Sequence, residues 1–191
     1  LADDFNPRFI NGSKEIIFSS NRPQDTTEYH IDGEPLNSRY LPHNLYVIDY
    51  DSRQKTISKV SEHHFINDVQ PFAIDQNRFT YLSDANGLIN RYVADYDSMI
   101  SFIDTTTHYR YYSKSHPVSN YNRNILEHDY NPETGEYAEI IFHDNRYYMY
   151  KDELDPMPDA FGGEFSNTAF RKSHTDKLRQ IDSLKRVKKE V

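Results

Sequence analysis

Histidine and carboxylate side chains are the groups in this chain most able to bind metals or move protons, and there are nine histidines and 30 acidic residues. His63 and His64 stand side by side in the segment EHHFIND, shortly before Asp68. A metal site would need both rings on one side, whereas adjacent side chains of an extended segment point to opposite sides. We therefore expect structural or surface roles for the histidines and predict no bound metal.

Four aspartates raise the question of a calcium site: Asp49 and Asp51 in one stretch, and Asp95 and Asp97 in another. The common calcium-binding loop needs a D-x-[DN]-x-[DN]-G pattern followed by a glutamate, and no stretch matches it. Aspartate side chains also hydrogen-bond to their own backbone in tight turns. Both interpretations remain open, and turn chemistry is the one we favour.

Motifs for catalysis are missing from the sequence. The chain has no cysteine and no G-x-S-x-G, so it offers neither a thiol nucleophile nor the serine turn of an α/β-hydrolase. Acidic residues are too numerous for their pairing to indicate glycoside hydrolysis. The glycine pair at 162–163 is isolated and lacks the following lysine of a phosphate-binding loop. We predict that the chain is not itself an enzyme and holds no cofactor.

The charge distribution limits the classes of partner. A net charge of −8 argues against nucleic acid, because phosphate binding needs a basic surface. From Arg171 to the end, however, lie eight of the 22 Lys and Arg residues and only three of the 30 acidic ones. No apolar run approaches the roughly 18 residues needed to cross a bilayer. We therefore predict no nucleic-acid partner and no membrane span.

Two nearly identical stretches indicate an internal repeat. NLYVIDYDS begins at Asn44 and NRYVADYDS begins at Asn90, with seven of nine residues identical. Upstream, Pro7 aligns with Pro71 at an offset of 64, which exceeds the 46 between the two stretches. The first copy therefore carries extra residues, and we predict a surface loop at 23–43 between its second and third strands.

A fainter third copy follows. EIIFHDNR from Glu139 resembles EIIFSSNR from Glu15, and the aromatic run RYYMY comes directly after it. The preceding NPETGEY is typical of a hairpin turn between two strands. A second register, which pairs the DYNP at 129–132 with the DFNP at 4–7, leaves too few residues for a first strand. We therefore favour the hairpin.

Each copy contains the same succession of strands and polar turns. The second strand reads IIFS, FTYLS or EIIF, and the third reads LYVIDY, RYVADY or RYYMY. TISKV and MISFID supply a fourth strand, reached by a turn at DYDS. Four antiparallel strands recurring at this spacing are typical of a propeller blade. We predict an all-β fold, a partial β-propeller of four-stranded antiparallel blades at 1–62, 63–115 and 116–155, followed by an irregular linker at 156–172.

The basic tail at 173–191 is predicted to form one C-terminal α-helix. Ser173 stands three residues before Asp176, in an acidic variant of the capping box. This helix either binds an acidic partner or a membrane surface, or is a solvated connector that packs on the propeller rim or leads to the next domain. We favour the connector because its apolar stripe is narrow.

The repeat resembles that of TolB-type β-propellers over about residues 4–155. In that family a proline–aromatic strand leads to a turn, then to a strand ending F-x-S-x-R, then to one of the type IYVMD. The matching residues of the first two copies are Pro7, Phe9, Asn11, Gly12, Phe18, Ser19, Arg22, Tyr46, Val47 and Asp49, and Pro71, Phe72, Asp75, Tyr81, Ser83, Asp84, Tyr92, Val93 and Asp95.

The resemblance implies a non-catalytic scaffold in the periplasm or cell envelope of a Gram-negative-type bacterium. It also implies partners among envelope lipoproteins, outer-membrane proteins or further propeller blades, with the chain as a segment of a larger protein or complex. Similar repeats occur in propellers that gate serine peptidases, so a gating domain of a larger hydrolase is the alternative. We expect partner contacts at the blade-connecting and second-to-third strand loops, with these residues: Asn21, Arg22, His63, His64, Asp68, Asp84, Asn86, Asn145 and Arg146.

Three blades cannot close a ring, since propellers have at least about four. Both terminal sheets should then leave an apolar face without a neighbouring blade. The residues expected on these open faces are Ile16, Phe18, Tyr46 and Ile48 at one end and Phe142, Tyr148 and Tyr150 at the other.

Overall fold

The computed structural model of the chain describes residues 2–22, 30–31, 34–35, 42–50, 57–61, 66–103, 107–155, 165–177 and 179. Its regular structure is almost entirely β, in three antiparallel sheets that follow one another along the chain. A small two-stranded sheet and one helix complete it. The predicted all-β class is confirmed.

The first sheet has four strands, each paired with its predecessor in the sheet. They are β1 (Asp4–Ile10), β2 (Glu15–Ser20), β5 (Asn44–Asp49) and β6 (Ile57–Lys59). The two-stranded sheet of β3 (His30–Ile31) and β4 (Glu34–Pro35) comes between β2 and β5 in the chain. Because β2 pairs directly with β5, the loop at 23–43 is inserted between second and third strands as predicted. Most of that loop lies outside the described residues.

The second sheet repeats this order, and its third and fourth strands are longer than those of the first sheet. They are β7 (Asp68–Ala73), β8 (Arg78–Ser83), β9 (Asn90–Ile103) and β10 (Thr107–Pro117). The prediction that MISFID forms the fourth strand was wrong, because Met99–Ile103 continue β9 and β10 is the fourth strand. Asp95 and Asp97 accordingly lie inside a strand and do not form a turn.

The third sheet has three strands among the described residues, where four had been predicted. They are β11 (Ile125–Asn131), β12 (Glu136–His143) and β13 (Arg146–Glu153). The hairpin predicted at NPETGEY joins β11 and β12. Asp144 and Asn145, with φ of 47° and 57°, form the two-residue loop before β13. Positive φ at both positions gives the turn the twist that neighbouring strands need.

The first strands of the three sheets lie side by side, β1 against β7 and β7 against β11. Each contains one residue more than its partner strand, so each is bulged near its start. In β1 and β7 the bulge includes a residue in the left-handed region, Asn6 at φ 52° and Gln70 at φ 53°. A bulge bends a strand and increases its twist. The aligned Pro7 and Pro71 come directly after these residues.

A repeated hydrogen bond joins consecutive sheets. Between the first two, the backbone N–H of His43 donates to Asn67 Oδ1 at 3.1 Å. Between the second and third, the backbone N–H of Ile89 donates to Asn124 Oδ1 at 2.9 Å. In both cases an asparagine just before a first strand reaches back to the start of the preceding sheet's third strand. The two junctions therefore have the same backbone construction.

A serine after each fourth strand completes the junction. The hydroxyl of Ser61 donates to Asn44 Oδ1 at 3.4 Å, and that of Ser119 donates to Asn90 Oδ1 at 3.0 Å. Each hydroxyl also accepts the backbone N–H of the residue after its asparagine, at 2.9 and 2.8 Å. The first residue of NxYVxDYDS recurs because it holds the chain that leads into the next sheet.

The side chains that fill the first junction are apolar. The strand periodicity of β2 and β5 directs Ile17, Leu45 and Val47 towards the second sheet, where all three are buried. Burying each such side chain contributes about 1.5–3 kcal/mol. The whole cluster contains Ile10, Ile17, Leu45, Val47, Val60, Phe79, Tyr81, Tyr92, Ala94 and Tyr96.

The two terminal sheets differ in how far their outer faces are exposed. Phe18 and Tyr46, which we expected to be uncovered, are buried at 6% and 4% exposure. Their rings stack, and the Arg22 guanidinium lies over both at 5.1 and 5.4 Å. The expectation of an open face was thus wrong for these residues of the first sheet. For the third sheet, Phe142 is exposed on the outer face as expected, whereas Tyr148 and Tyr150 are exposed on the opposite face, the one that carries Glu139.

Candidate functional site

The residues predicted to bind partners separate into three groups in the structure. Asn21 and Arg22 hold β1 within the first sheet, Asp84 and Asn86 contact the start of the C-terminal helix, and Asp68 is buried in the second sheet. Asn145 and Arg146 are exposed on the β12–β13 hairpin. His63 and His64 lie outside the described residues.

The first group is occupied by contacts within the chain. Asn21 is buried, and its Oδ1 accepts the backbone N–H of Asp3 at 2.8 Å. Arg22 Nη2 donates to both carboxylate oxygens of Asp4 at 2.8 Å. Burial alone would raise the pKa of Asp4, but its hydrogen bonds to Arg22 and Ser20 lower that pKa below its usual value. Asn21 and Arg22 thus hold the start of β1 against the end of β2.

The helix, α1, spans residues 169–177, so it begins before the predicted 173. Its cap is Thr168, whose hydroxyl accepts the backbone N–H of Arg171 at 3.2 Å, and Ser173 lies inside the helix. The capping residue therefore differs from the predicted one. Thr168 also donates its backbone N–H to Asn86 O at 2.8 Å, which docks the start of α1 on the β8–β9 turn.

Gly87 makes this close approach of helix and turn possible. It has a φ of +94°, in the region that favours glycine. A Cβ atom there would stand 2.1 Å from Thr168 Oγ1 and 3.2 Å from Arg171 Cβ. The side chain at this position must therefore be absent for α1 to dock.

Asp84 receives the first basic residue of the tail. Arg171 is buried, and its Nη2 donates to Asp84 Oδ1 at 2.8 Å and to Asp84 O at 2.6 Å. The same carboxylate accepts the backbone N–H and the side-chain amide of Asn67 at 2.9 and 2.8 Å. Phe165 adds an edge-on contact with the Tyr92 ring at 5.9 Å. The start of the helix therefore packs on the second sheet, while a connector role for the tail at 173–191 stays a prediction.

A buried carboxylate and two tyrosines lie in the same region. Asp68 has no exposed surface. Burial and the Asp68 carboxylate raise the pKa of Tyr81 and of Tyr92 above the value of free tyrosine. Both phenols therefore keep their protons at physiological pH. Asp68 and Asn86 are both buried, and the start of α1 contacts Asn86, so neither side chain is open to a partner in this structure.

The second junction holds a buried ion pair in addition to an apolar cluster of Ile74, Val93, Tyr130 and Leu154, whereas the cluster of the first junction is formed by apolar and tyrosine side chains alone. Arg91 Nη2 lies 2.8 Å from Glu139 Oε2, and each side chain is only 2% exposed. The Arg91 guanidinium also lies 3.5 Å from the centre of the Tyr137 ring. Two buried charges are stable only when they are paired and hydrogen-bonded. The pair thus connects β9 of the second sheet to β12 of the third.

His128 extends this network to β7. Its Nε2 lies 2.7 Å from Gln70 O, and its Nδ1 accepts from Arg91 Nε at 3.5 Å. The Nε2–H tautomer satisfies both contacts. Burial lowers the pKa of His128 to about 3, and the nearby Arg91 charge acts in the same direction. The ring is therefore neutral at physiological pH, and the bulge residue Gln70 is held by it. We call Arg91, Glu139 and His128 the charged junction.

Sequence reasoning did not find the charged junction, because it aligned the third copy in another register. In the structure Lys14 O and Gly135 O accept equivalent backbone hydrogen bonds directly before the second strands. Glu136 therefore corresponds to Glu15, and Glu139 takes the position of Phe18. A signal for the junctions was available in the Val-Ser pairs at 60–61 and 118–119, which lie at equivalent places.

The third sheet exposes a strip of aromatic and apolar side chains. Phe142, Tyr147 and Met149 lie on the face that points away from the second sheet, and the rings of Phe142 and Tyr147 are 5.0 Å apart. Tyr148 and Tyr150 are exposed on the opposite face of β13. Contiguous apolar surface of this kind usually marks an interaction site.

Metal and membrane features were also searched in the described part of the chain. No three His, Asp or Glu side chains there are grouped as metal ligands would be. Asp49 ends β5, Asp95 and Asp97 lie in β9, and Asp51 is outside the described residues. Among the described residues, no helix has the length and apolar character to cross a membrane.

The chain was also compared with known proteins. No family model matches it, and no curated protein sequence is significantly similar to it.

Proposed function

We propose that this chain is a segment of a β-propeller-type scaffold that binds other proteins in a bacterial cell envelope and has no catalytic activity of its own. The observation that carries the proposal is the junction built twice from the same hydrogen bonds. Repeating one junction repeats one rotation between neighbouring sheets, and repeated rotation about an axis is how a propeller is made. The adjacent first strands β1, β7 and β11 agree with this arrangement.

A scaffold role is supported by the exposed outer face of the third sheet. Leaving a few hundred Å² of apolar surface in water forgoes several kcal/mol at about 25 cal/mol per Å². The total stability of a domain is only about 5–15 kcal/mol. Further blades or an envelope protein packed on Phe142, Tyr147 and Met149 would recover that energy.

The β12–β13 hairpin is the part of the predicted partner-binding surface that is accessible in the structure. Of the described residues predicted to bind partners, Asn145 and Arg146 are the two exposed ones. Asp84 and Asn86 are covered by α1, and Asn21 holds the N-terminal strand. The envelope location and the lipoprotein or outer-membrane partners follow from the TolB resemblance.

The proposal is tested by photo-crosslinking in the cells that make the protein. In one variant a photoreactive residue replaces Asn145. In a matched control it replaces Gln76, which is exposed in the β7–β8 turn at the other ends of the strands. We expect crosslinks to envelope proteins from position 145 and none from position 76. Equal crosslinking from both positions, or none from 145, would contradict the assigned binding surface.

Activity is tested separately on the purified chain. We expect no turnover of peptide or glycan substrates. Turnover that disappears when one residue of this chain is replaced would overturn the non-catalytic role. A nucleophile-elbow sequence downstream in the full-length gene product would instead favour the gating domain of a hydrolase.

A further inference from the structure

The outer edge of β13 occupies the place where the first two sheets have a fourth strand. Strand β6 pairs with β5, and β10 pairs with β9, but within the described part of the chain no strand pairs with the outer edge of β13. All eight residues of β13 are exposed, Tyr147 and Met149 at 73% and 74%. An uncovered edge of this kind is a template for another strand.

The edge is regular enough to be paired along its whole length. The β12–β13 ladder has no bulge from Glu136↔Glu153 to His143↔Arg146, and β13 contains no proline. Natural edge strands are usually blunted by such features. In a hairpin with a two-residue loop the flanking residues, here His143 and Arg146, form a hydrogen-bonded pair. The backbone groups of Arg146 and of every second residue after it therefore bond to β12. The backbone groups of Tyr147, Met149 and Lys151 therefore face the open edge.

The sequence of β13, RYYMYKDE, is complementary to itself in one antiparallel register. With Met149 opposite Met149, Tyr148 stands opposite Tyr150 and Tyr147 opposite Lys151. Arg146 then stands opposite Asp152, with opposite charges on directly facing residues. Aromatic pairs, cation–π pairs and opposite charges are the favourable cross-strand combinations. In this register a two-fold axis normal to the sheet relates the two strands, and both members of each facing pair lie on the same face of the joined sheet.

We infer that β13 pairs with β13 of a second copy of this chain, around a two-fold axis through Met149, to join two third sheets into one continuous sheet of six strands. The ion pair between Arg146 and Asp152 forms twice, once on each side of the axis. Because only one strand from each copy contributes its edge, the interface is small and the dimer depends on protein concentration.

Charge reversal tests the register. Analytical ultracentrifugation of the complete 191-residue chain should show a monomer–dimer equilibrium. Arg146→Asp places two aspartates opposite each other, and Asp152→Arg places two arginines opposite each other. Each variant alone is expected to dimerise at least about tenfold more weakly, because facing like charges repel. An equimolar mixture of the two variants restores both ion pairs and should dimerise like the wild type.

Cysteine crosslinking tests the position of the axis, and it is simple because the chain has no cysteine of its own. Facing Cα atoms in a hydrogen-bonded pair are about 5.5 Å apart, within the range of a disulfide. Met149→Cys should therefore form a covalent dimer on mild oxidation. Tyr147→Cys is the matched control and should form no disulfide-linked dimer, because its facing residue is Lys151.

The proposal is supported by loss of dimer in both single variants and its return in their mixture. It is overturned if the wild type remains monomeric over a hundredfold range of concentration, as it would if another segment of the chain covered β13. It is also overturned if Arg146→Asp dimerises as the wild type does, or if Tyr147→Cys crosslinks as fast as Met149→Cys.

Discussion

The junction between the first and second sheets and the junction between the second and third sheets share their backbone connections and each contain an apolar cluster, but they differ in the side chain that follows the third-strand asparagine. An asparagine and a serine make the same hydrogen bonds in both. Leu45 lies in an apolar cluster at the first junction, whereas Arg91, at the equivalent position, is paired with Glu139 at the second. The geometry of the junction therefore depends on the polar frame around it.

The difference also concerns specificity. An apolar cluster is stabilised by any well-packed side chains, so many surfaces of similar shape would serve. A buried arginine is acceptable only opposite a group that neutralises it and satisfies its donors. The charged junction thus selects the third sheet, with Glu139 and His128 in place, as the neighbour of the second.

The largest effect is expected from removing one member of the ion pair. Arg91→Ala leaves the Glu139 carboxylate buried without its cation, and Glu139→Ala leaves the guanidinium unpaired. Each change should lower the free energy of unfolding by about 3–5 kcal/mol. Chemical denaturation followed by circular dichroism measures this loss. Losses below about 1 kcal/mol would mean that water reaches the pair and that the junction is not a closed one.

The matched experiment converts the second junction to the type of the first. Arg91→Leu with Glu139→Tyr introduces the residue types found at the equivalent positions, Leu45 and Tyr81. Apolar replacement of both members of a buried pair is often neutral or stabilising. We expect the double variant to lie within about 2 kcal/mol of the wild type, well above either alanine variant. A double variant as unstable as the sum of the single losses would show that the two residues act independently.

Acid should weaken the second junction before the first. The folded pKa of His128 lies at about 3, below that of free histidine, because the ring is buried. The unfolded chain therefore binds a proton first, and stability is lost as pH falls from about 6.5 towards about 3, at up to about 1.4 kcal/mol per pH unit. The cluster of the first junction contains no group that titrates in this range.

This acid effect is measured from denaturation curves at several pH values for the wild type and for His128→Asn. The variant should be less stable at pH 8, and the difference should shrink as the pH falls. A difference that stays constant from pH 8 to pH 4 would contradict a neutral, buried His128. Amide exchange at low pH should also show earlier loss of protection in β11 than in β2.

The smallest effect is expected from the feature that both junctions share. Ser61→Ala and Ser119→Ala each remove one hydroxyl that bridges an asparagine to a backbone N–H. Each should cost about 1 kcal/mol, and the two losses should be similar. Thermal unfolding of the two variants measures the comparison. A much larger loss at one serine would show that the two hydrogen-bond frames are not equivalent.

The sequence predicted the sheets better than their contacts. The NxYVxDYDS stretches and the NPETGEY hairpin were enough to predict the all-β class and most of the strand succession. The fourth strand of the second sheet was misplaced because MISFI is apolar throughout, so its pattern cannot distinguish a new strand from the continuation of β9. The predicted start of the helix was too far along the chain. Thr168 caps the helix by accepting the backbone N–H of Arg171, and an arginine at that position does not give the acidic signature of a capping box.

The charged junction could not be predicted because its position depends on strand register. Residue identity aligned Glu139 with Glu15, a shift of three residues from the hydrogen-bonded register. An odd shift moves every side chain to the other face of the sheet. In that alignment Glu139 lies on the face that points away from the second sheet, whereas in the structure it faces Arg91. Only the pairing of β11, β12 and β13 reveals this.

The central claim is that one rotation, applied twice, relates the three sheets, and distances between spin labels test it most directly. Ser13, Gln76 and Thr134 are exposed and occupy equivalent turns before the second strands. Labels on cysteines placed pairwise at these sites give three distances by pulsed electron resonance. We predict equal 13–76 and 76–134 distances, with a 13–134 distance clearly shorter than their sum, because the turns lie on an arc. Unequal neighbouring distances, or a 13–134 distance equal to the sum, would contradict the propeller-type arrangement.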